Sequence, residues 1–294
     1  MSWVHIRRSR RQSPRTILAS ILMPAFRARK TIAKAVSSVI VQTLRSWELL
    51  VITDDENDYS SLIKKEGLYD SRIHFLRSRA VASGPSAALN MGRESARGLV
   101  VTRLDADDWY EPERLATLVP IALRHGVAAD NVVAFDDRKR REIGPWLRTS
   151  RPVINVDAFN IMVAPIPCLL VFRHDILPKW DEDLTFAEDV IFNARAFEHV
   201  ETVPVVTDCL WHYRIRNESL SHSANLHNVA DAVYAQLLEE YDTNQLRLNN
   251  PRVQRILRYA LIYKRSLNRA FCSAYSRDPT ISFQEFVLGQ REAR

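Results

Sequence analysis

The chain has 294 residues, 46% hydrophobic and 26% charged, with 41 lysines and arginines against 35 acidic residues and a formal net charge of +6. Those values describe an ordinary globular chain long enough to bury a full core, with a surplus of positive charge that suits an anionic ligand. Three widely separated cysteines, Cys168, Cys209 and Cys272, form no C-x-x-C pair, which argues against a disulfide framework or a zinc site, and no apolar run approaches the roughly 20 residues needed to span a bilayer.

In chain order, Arg7, Arg8, Arg10, Arg11 and Arg15 make residues 1–16 a flexible basic arm. A signal peptide is a poor account of the apolar run that follows, because Pro24 interrupts it and Arg27, Arg29 and Lys30 come directly after it. Residues 17–23 read as a buried strand. Ile32, Ala35, Val36, Val39 and Ile40 recur at helical spacing until about Thr43, and a second strand runs from Trp47 to Thr53. Arg72 to Leu76 reads as a third strand, and Ser86 to Arg97 as a helix ended by Gly98. A fourth strand follows at Leu99 to Leu104, then a helix from Pro112 to His125 ended by Gly126, and a strand at Val132 to Phe135. Ile161 to Phe172, which contains Pro165 and Pro167, is expected to be buried sheet.

Strands alternating with helices at these lengths imply an α/β, doubly wound, mainly parallel and Rossmann-like sheet, whose ligands bind beyond the carboxyl ends of the strands. Asp54 and Asp55 end the second strand as Asp105 and Asp107 end the fourth, so acidic groups gather at that rim. Only seven glycines are present, none in dinucleotide-fingerprint or P-loop order, which leaves a metal as the expected holder of any bound phosphate.

In an extended segment Asp105 and Asp107 share one face while Ala106 points away. Two neighbouring carboxylates repel unless a cation joins them, and hard dications are commonly held by one or two carboxylates with phosphate oxygens completing the shell. A nucleoside diphosphate is therefore the expected ligand. The competing account is that Asp105 to Asp108 only cap the helix at Pro112, and the triplet alone leaves both open.

Taken together, these segments resemble the inverting family 2 glycosyltransferases of GT-A fold. Ile21 to Phe26 is similar to the family's first strand and turn, Ser37 to Thr43 to its Ser-Val-x-x-Gln-Thr helix end, and Glu48 to Asp55 to the strand whose last aspartate touches the base. Gly84 to Gly92 and Ala96-Arg97-Gly98 match the helix before the D-x-D strand. Leu104 to Asp108, with Pro112, Arg114 and Leu115, resembles the D-x-D consensus. Asp183 to Asp189 resembles the Glu-Asp segment that supplies the base, and Trp211 to Ser221 the Tyr-Arg-x-x-x-x-Ser-x-Ser stretch. The likeness runs from about residue 17 to 222, which sets the catalytic domain apart from a helical extension at 223–294. Phe26, Arg27, Glu56, Asn57 and Leu89 depart from the pattern.

The resemblance implies transfer of a sugar from a nucleoside diphosphate donor, expected to be a UDP-sugar, to an acceptor hydroxyl in bacterial surface polysaccharide or glycoconjugate synthesis. It implies Mn²⁺ or Mg²⁺ on Asp107, ribose hydroxyls on Asp105 and the base on Asp54. The turn at Pro24, Ala25 and Phe26 is expected to add nucleotide contacts, and Arg214 a forked contact to phosphate oxygens. Asp189, beside Glu188, is implied as the base that deprotonates the acceptor. From spacing alone, Thr185-x-x-Glu188 is also a capping box ahead of an amphipathic helix. His212, between Trp211 and Tyr213, is expected to be packed. Acceptor choice is expected to lie in residues 136–186.

Beyond Ser223, Val229 to Tyr241 and Arg252 to Phe271 read as helices, the second basic and amphipathic. Such a helix lies either on an anionic membrane surface or on the enzyme. The expected setting is cytoplasmic, with peripheral contact at the inner membrane face for a lipid-linked saccharide acceptor. Two other readings stand beside this one: a nucleotide-sugar-binding scaffold that has lost catalysis, and a sugar nucleotidyltransferase. No nucleic-acid partner is expected, since no recognition module is present.

Overall fold

A computed structural model describes residues 16–184, 186–216 and 226–292. In chain order the elements are β1 (Ala19–Ala25), α1 (Ile32–Ile40), β2 (Trp47–Thr53), α2 (Tyr59–Lys65), β3 (Ile73–Arg77), α3 (Pro85–Ser95), β4 (Val100–Arg103), β5 (Trp109–Tyr110) and α4 (Arg114–His125). There follow β6 (Val127–Asp136), β7 (Arg141–Pro145), β8 (Val153–Asp157), α5 (Ala158–Met162), β9 (Val171–Arg173), α6 (Glu188–Ala196), β10 (Thr202–Ile215), α7 (Leu226–Asp242), α8 (Pro251–Tyr275) and α9 (Phe283–Glu292).

The sheet runs β3-β2-β1-β4-β9-β6-β10-β5, with β7 beside β6 and β8 beside β10. The first four strands are parallel, β9 runs against both its neighbours, and β6 and β10 are again parallel. Buried on both faces, β2 reads as a continuous apolar run apart from Glu48 and Thr53. The register pairs Ala25 with Thr53 and Leu22 with Arg103, so the residues after β1, β2 and β4 emerge at one edge. This is the expected mixed, mainly parallel α/β architecture.

Buried polar side chains fix that edge. Gln42 donates to the carbonyls of Ser38 and Glu111 and accepts from the Leu115 amide, which ties α1 to the start of α4. Arg114, fully buried, forms a fork with Asp130 at 2.8–3.1 Å beneath β4. Glu48 accepts from Ser20 Oγ and from the amide and guanidinium of Arg97.

Several expectations change. Helix α3 stops at Ser95 and Ala96 is extended, so Gly98 does not end it. Gly98 instead lets the chain cross β1, where a Cβ would lie 2.5 Å from the Ser20 nitrogen. Gly126 does end α4, at φ +87°. The apolar stretch 161–172 is mostly not sheet: it closes α5, then runs as a buried loop through Pro165 and Pro167 before reaching β9. Prolines lack the amide needed for a ladder, so burial there comes without strand pairing. Helices α2 and α9 lie where no helix is expected from the sequence, and β6 begins five residues earlier than its apolar core suggests.

Helices α7 and α8 pack together through Leu237, Leu257 and Leu261 and through Asp231, which holds both Arg265 and Arg269 at 2.6–3.1 Å. α8 rests on α5 and α6, while Glu285 on α9 reaches Lys139 and Arg141 beside β7. Most of the 1–16 arm and the expected boundary at 222/223 lie outside the described residues. Among the described residues no helix is long and apolar enough to cross a membrane.

Candidate active site

A cleft of about 710 Å³ opens at the carboxyl ends of β1, β2 and β4. Pro24, Ala25, Phe26, Asp54, Asp105, Asp107, Glu188, Asp189 and Arg214 all line it. Nine positions spread over 190 residues of sequence therefore meet in one cavity.

The turn after β1 is braced by Asp55. Its carboxylate accepts from the Arg27 amide at 2.6 Å, from Asn57 and from the Tyr59 hydroxyl, while Tyr59 accepts from the Ala28 amide. Burial pushes the Asp55 pKa up, but these donors outweigh it and the net shift is downward. Arg27 is held at φ +51°, in the left-handed region, and its guanidinium packs over Phe26. Asp54 is buried and anchors the loop after β3: Oδ1 accepts from Ser78 Oγ and from the amide and hydroxyl of Ser83, and Oδ2 from the Gly84 amide.

At β4 the strand ends at Arg103, and Asp105 to Asp107 lie in a turn rather than an extended segment. Both carboxylates face the cleft all the same. The helix-capping account fails, because the residue before α4 is Glu113 and no side chain caps it. Asp108 points inward instead, 1% exposed, accepting from Trp211 Nε1 at 3.1 Å and the Arg214 amide at 2.8 Å. Burial, then the neighbouring Asp107 and Asp105, raise its pKa well above the usual value.

Two arginines organise the acidic groups. Arg103 forms a fork with Asp105 at 2.6 and 3.0 Å and lies 3.7 Å from Glu188 Oε1, which joins the end of β4 to the start of α6. Burial works against the Arg103 charge, yet Asp105 and Glu188 raise its pKa on balance. Arg216 Nη2 lies 2.5 Å from Asp107 Oδ2. Asp107 is still raised, by burial first and Asp105 second, against the pull of Arg216. Arg214 packs over Trp109 and reaches Asp137 at 3.5 Å. His212 stacks on Trp109 and bonds Glu111 at 2.6 Å, the packed role expected for it.

Helix α6 begins at Glu188, preceded by Ala187 at φ +60° with no side-chain cap. Thr185, the expected capping residue, lies outside the described residues. Glu188 is raised by burial and then by Asp189. Asp105 and Asp107 offer hard oxygen donors, and among the described residues no cluster of three metal-binding side chains exists. The donor set fits a dication such as Mn²⁺ or Mg²⁺ only when phosphate oxygens complete the shell.

Some cleft residues escaped the sequence reading. Arg216 follows Arg214 by two positions and so continues its side of the strand line. Lys264 falls at positions that continue the buried stripe of Leu257 and Leu261, where a polar residue is itself a signal. Of the 136–186 segment, Ala164, Pro165, Pro167, Leu169 and Phe186 line the cleft, and Tyr234, Lys264, Asn268 and Gln284 are among those that join them from the C-terminal helices.

The family model described as "Glycosyl transferase family 2" matches residues 20–180. The chain belongs to glycosyl transferase family 2. Among relatives, it is 35% identical over 111 residues to WfgD of Escherichia coli, a UDP-Glc:α-D-GlcNAc-diphosphoundecaprenol β-1,3-glucosyltransferase, covering 38% of this chain and 43% of that one. The chain thus spans less than half of that relative's length. It is 27% identical over 235 residues to the succinoglycan biosynthesis protein ExoO of Rhizobium meliloti, covering 74% and 66% of the two chains. The structure of S. aureus TarS 1–349 in complex with UDP-GlcNAc superposes with a TM-score of 0.62 at 18% identity, over 83% of this chain and 71% of that one. The family 2 chain accordingly has the GT-A-type fold of a glycosyltransferase.

Proposed function

We propose that this family 2 protein transfers a sugar from a UDP-sugar to an acceptor hydroxyl with inversion, in bacterial surface polysaccharide or glycoconjugate synthesis. The observation that carries the reading is the meeting of Asp54, Asp105, Asp107 and Asp189 in one cleft, with Arg214 and Arg216 beside them. UDP-GlcNAc in the TarS structure and UDP-Glc in the name of WfgD support the choice of donor.

The nucleotide lies along the β1–β2–β4 edge. Asp54 orders the 78–84 loop beside the base, and Oδ2, with a single donor, is the oxygen left for a base N–H. Asp105, held in one orientation by Arg103, accepts from ribose hydroxyls. Asp107 would hold Mn²⁺ or Mg²⁺, which when bound supplies Lewis-acid stabilisation of the diphosphate. Pro24, Ala25 and Phe26 border the nucleotide from the β1 turn.

In the reaction the bond from the acceptor oxygen to the anomeric carbon forms as the bond to the diphosphate oxygen breaks, and the electron pair leaves with the diphosphate. Arg214 and Arg216 face that growing charge. Asp189 takes the acceptor proton, and Glu188 is kept in place by Arg103. A lipid-linked saccharide is the proposed acceptor, in keeping with the diphosphoundecaprenol acceptor in the WfgD name. The outward side of α8, with Arg252, Arg255, Tyr259 and Ile262 exposed, suits peripheral contact with an anionic inner membrane face.

Calorimetric titration with UDP, GDP and dTDP, with and without Mn²⁺, on wild type and Asp107→Ala tests the reading. Metal-dependent binding of UDP, lost in the variant, supports it. Absence of nucleotide binding in any metal overturns it in favour of a degenerate fold.

A further inference from the structure

The C-terminal helices do more than brace the core. Lys264 on α8 and Gln284 on α9 both line the cleft, and the edge contact of Phe271 with Phe283, 5.3 Å between ring centres, holds those two helices together at this point. Lys264 is half-buried, and among the described residues no carboxylate lies within 4.0 Å of its ammonium. Lys264 and Asp189 both line the cleft, and α8 packs on α6, whose first turn carries Asp189; burial lowers the Lys264 pKa against the pull of that carboxylate. The cations at the D-x-D turn are Arg103, paired with Asp105, and Arg216, paired with Asp107. Gln284 is 3% exposed, and its Oε1 has no hydrogen-bond partner although it is enclosed by protein. A half-buried ammonium with no carboxylate beside it gains from an anion that meets it, and an enclosed amide oxygen without a partner is costly until a donor arrives. Phe186 and Tyr234, in edge contact at 5.6 Å, add an apolar wall of the kind that sugar rings stack on.

We propose that Lys264 and Gln284 form an acceptor subsite for an anionic saccharide, one that carries a phosphate or a carboxylate near the hydroxyl to be glycosylated. Lys264 meets the anion and Gln284 Oε1 accepts from a sugar hydroxyl. The inference rests on the cleft's being a transferase site with Asp189 at its acceptor end.

The test uses the full chain saturated with UDP and Mn²⁺, so that the donor side is filled. Two charged and neutral pairs are titrated by ligand-observed NMR: GlcNAc 1-phosphate against GlcNAc, and glucuronate against glucose. At least one anionic member is expected to bind about tenfold more tightly than its neutral partner, the value of one charge-assisted hydrogen bond. Which pair shows the preference tells phosphate from carboxylate. Lys264→Met is expected to abolish the preference and Lys264→Arg to retain it. Equal affinities within both pairs, binding of none of the four, or a preference that survives Lys264→Met overturns the proposal. If Lys264→Met does not fold, the wild-type comparison and Lys264→Arg still decide. UDP binding in the same samples without a preference for the anion sinks this inference alone. A preference for the anion without UDP binding sinks the donor reading instead.

Discussion

Arg216 Nη2 sits 2.5 Å from Asp107 Oδ2, so an arginine from the end of β10 already neutralises the carboxylate expected to hold a dication. Metal and guanidinium compete for the same oxygens. Replacing Arg216 with Met is expected to tighten Mn²⁺ binding in the absence of nucleotide by about two- to fivefold, the worth of a partly exposed ion pair. Free Mn²⁺ counted by electron paramagnetic resonance reads this without any assay of activity. Unchanged affinity would mean that Arg216 leaves Asp107 without cost.

Asp189 and Glu188 are adjacent but differently held, and their substitutions are expected to separate. Asp189→Asn removes the proposed base and is expected to lower kcat by about 10²- to 10⁴-fold with nucleotide affinity unchanged. Glu188→Gln removes a charge from Arg103, 3.7 Å away, and so acts on the orientation of Asp105. Its expected signature is a weaker UDP Kd with a smaller loss of kcat. Calorimetry beside steady-state rates checks both, and a base variant with normal kcat would remove Asp189 from the chemistry.

The candidate site was more legible than parts of the fold around it. Asp54, Asp105 and Asp107 stand at abrupt ends of apolar runs, and the carboxyl edge of a parallel sheet brings such ends together whatever the exact turn geometry. That is why Asp105 and Asp107 share the cleft even though the alternation of an extended strand does not apply to them. Arg103 and Lys264 were not legible in the same way, since Arg103 acts through Glu188, 85 positions away, and Lys264 reaches the cleft only because α8 folds back onto α6. The stretch 161–172 misleads because apolar content reports burial and not hydrogen bonding. Ala187 starts α6 from a left-handed conformation that no residue type announces.

Gly98 provides a test of the fold independent of the site. A Cβ there would lie 2.5 Å from Ser20 N and 2.7 Å from Ala19 C, both backbone atoms of the central strand β1 that cannot rotate aside. Gly98→Ala is expected to destabilise the protein by about 1 to 3 kcal/mol through overpacking. It also forces apart the Gly98 amide and Ser20 Oγ, now 2.8 Å from one another. Urea unfolding checks the prediction, and a change below about 0.5 kcal/mol, the range of ordinary surface substitutions, would show that the crossing has slack.

Glu285 fastens α9, and with it Gln284, to the β6–β7 hairpin through Lys139 at 2.7 Å and Arg141 at 2.8 Å, and accepts locally from the amide of Ser282 at 3.0 Å. Burial favours its neutral form, but Lys139 and Ser282 prevail and draw its pKa from 4.5 down to about 2. A depressed carboxylate pKa gives stability that is full above the unfolded value and lost as pH falls through the folded one. Glu285→Gln is therefore expected to cost on the order of 1 kcal/mol at neutral pH, after allowance for solvent screening. The gap between wild type and variant should hold above about pH 5.5, shrink from roughly pH 4.5, be mostly lost by about pH 2 and vanish below it. Thermal unfolding of both proteins across that range reads it directly. A gap that stays constant down to pH 2 would show that Glu285 contributes through packing and not through its charge.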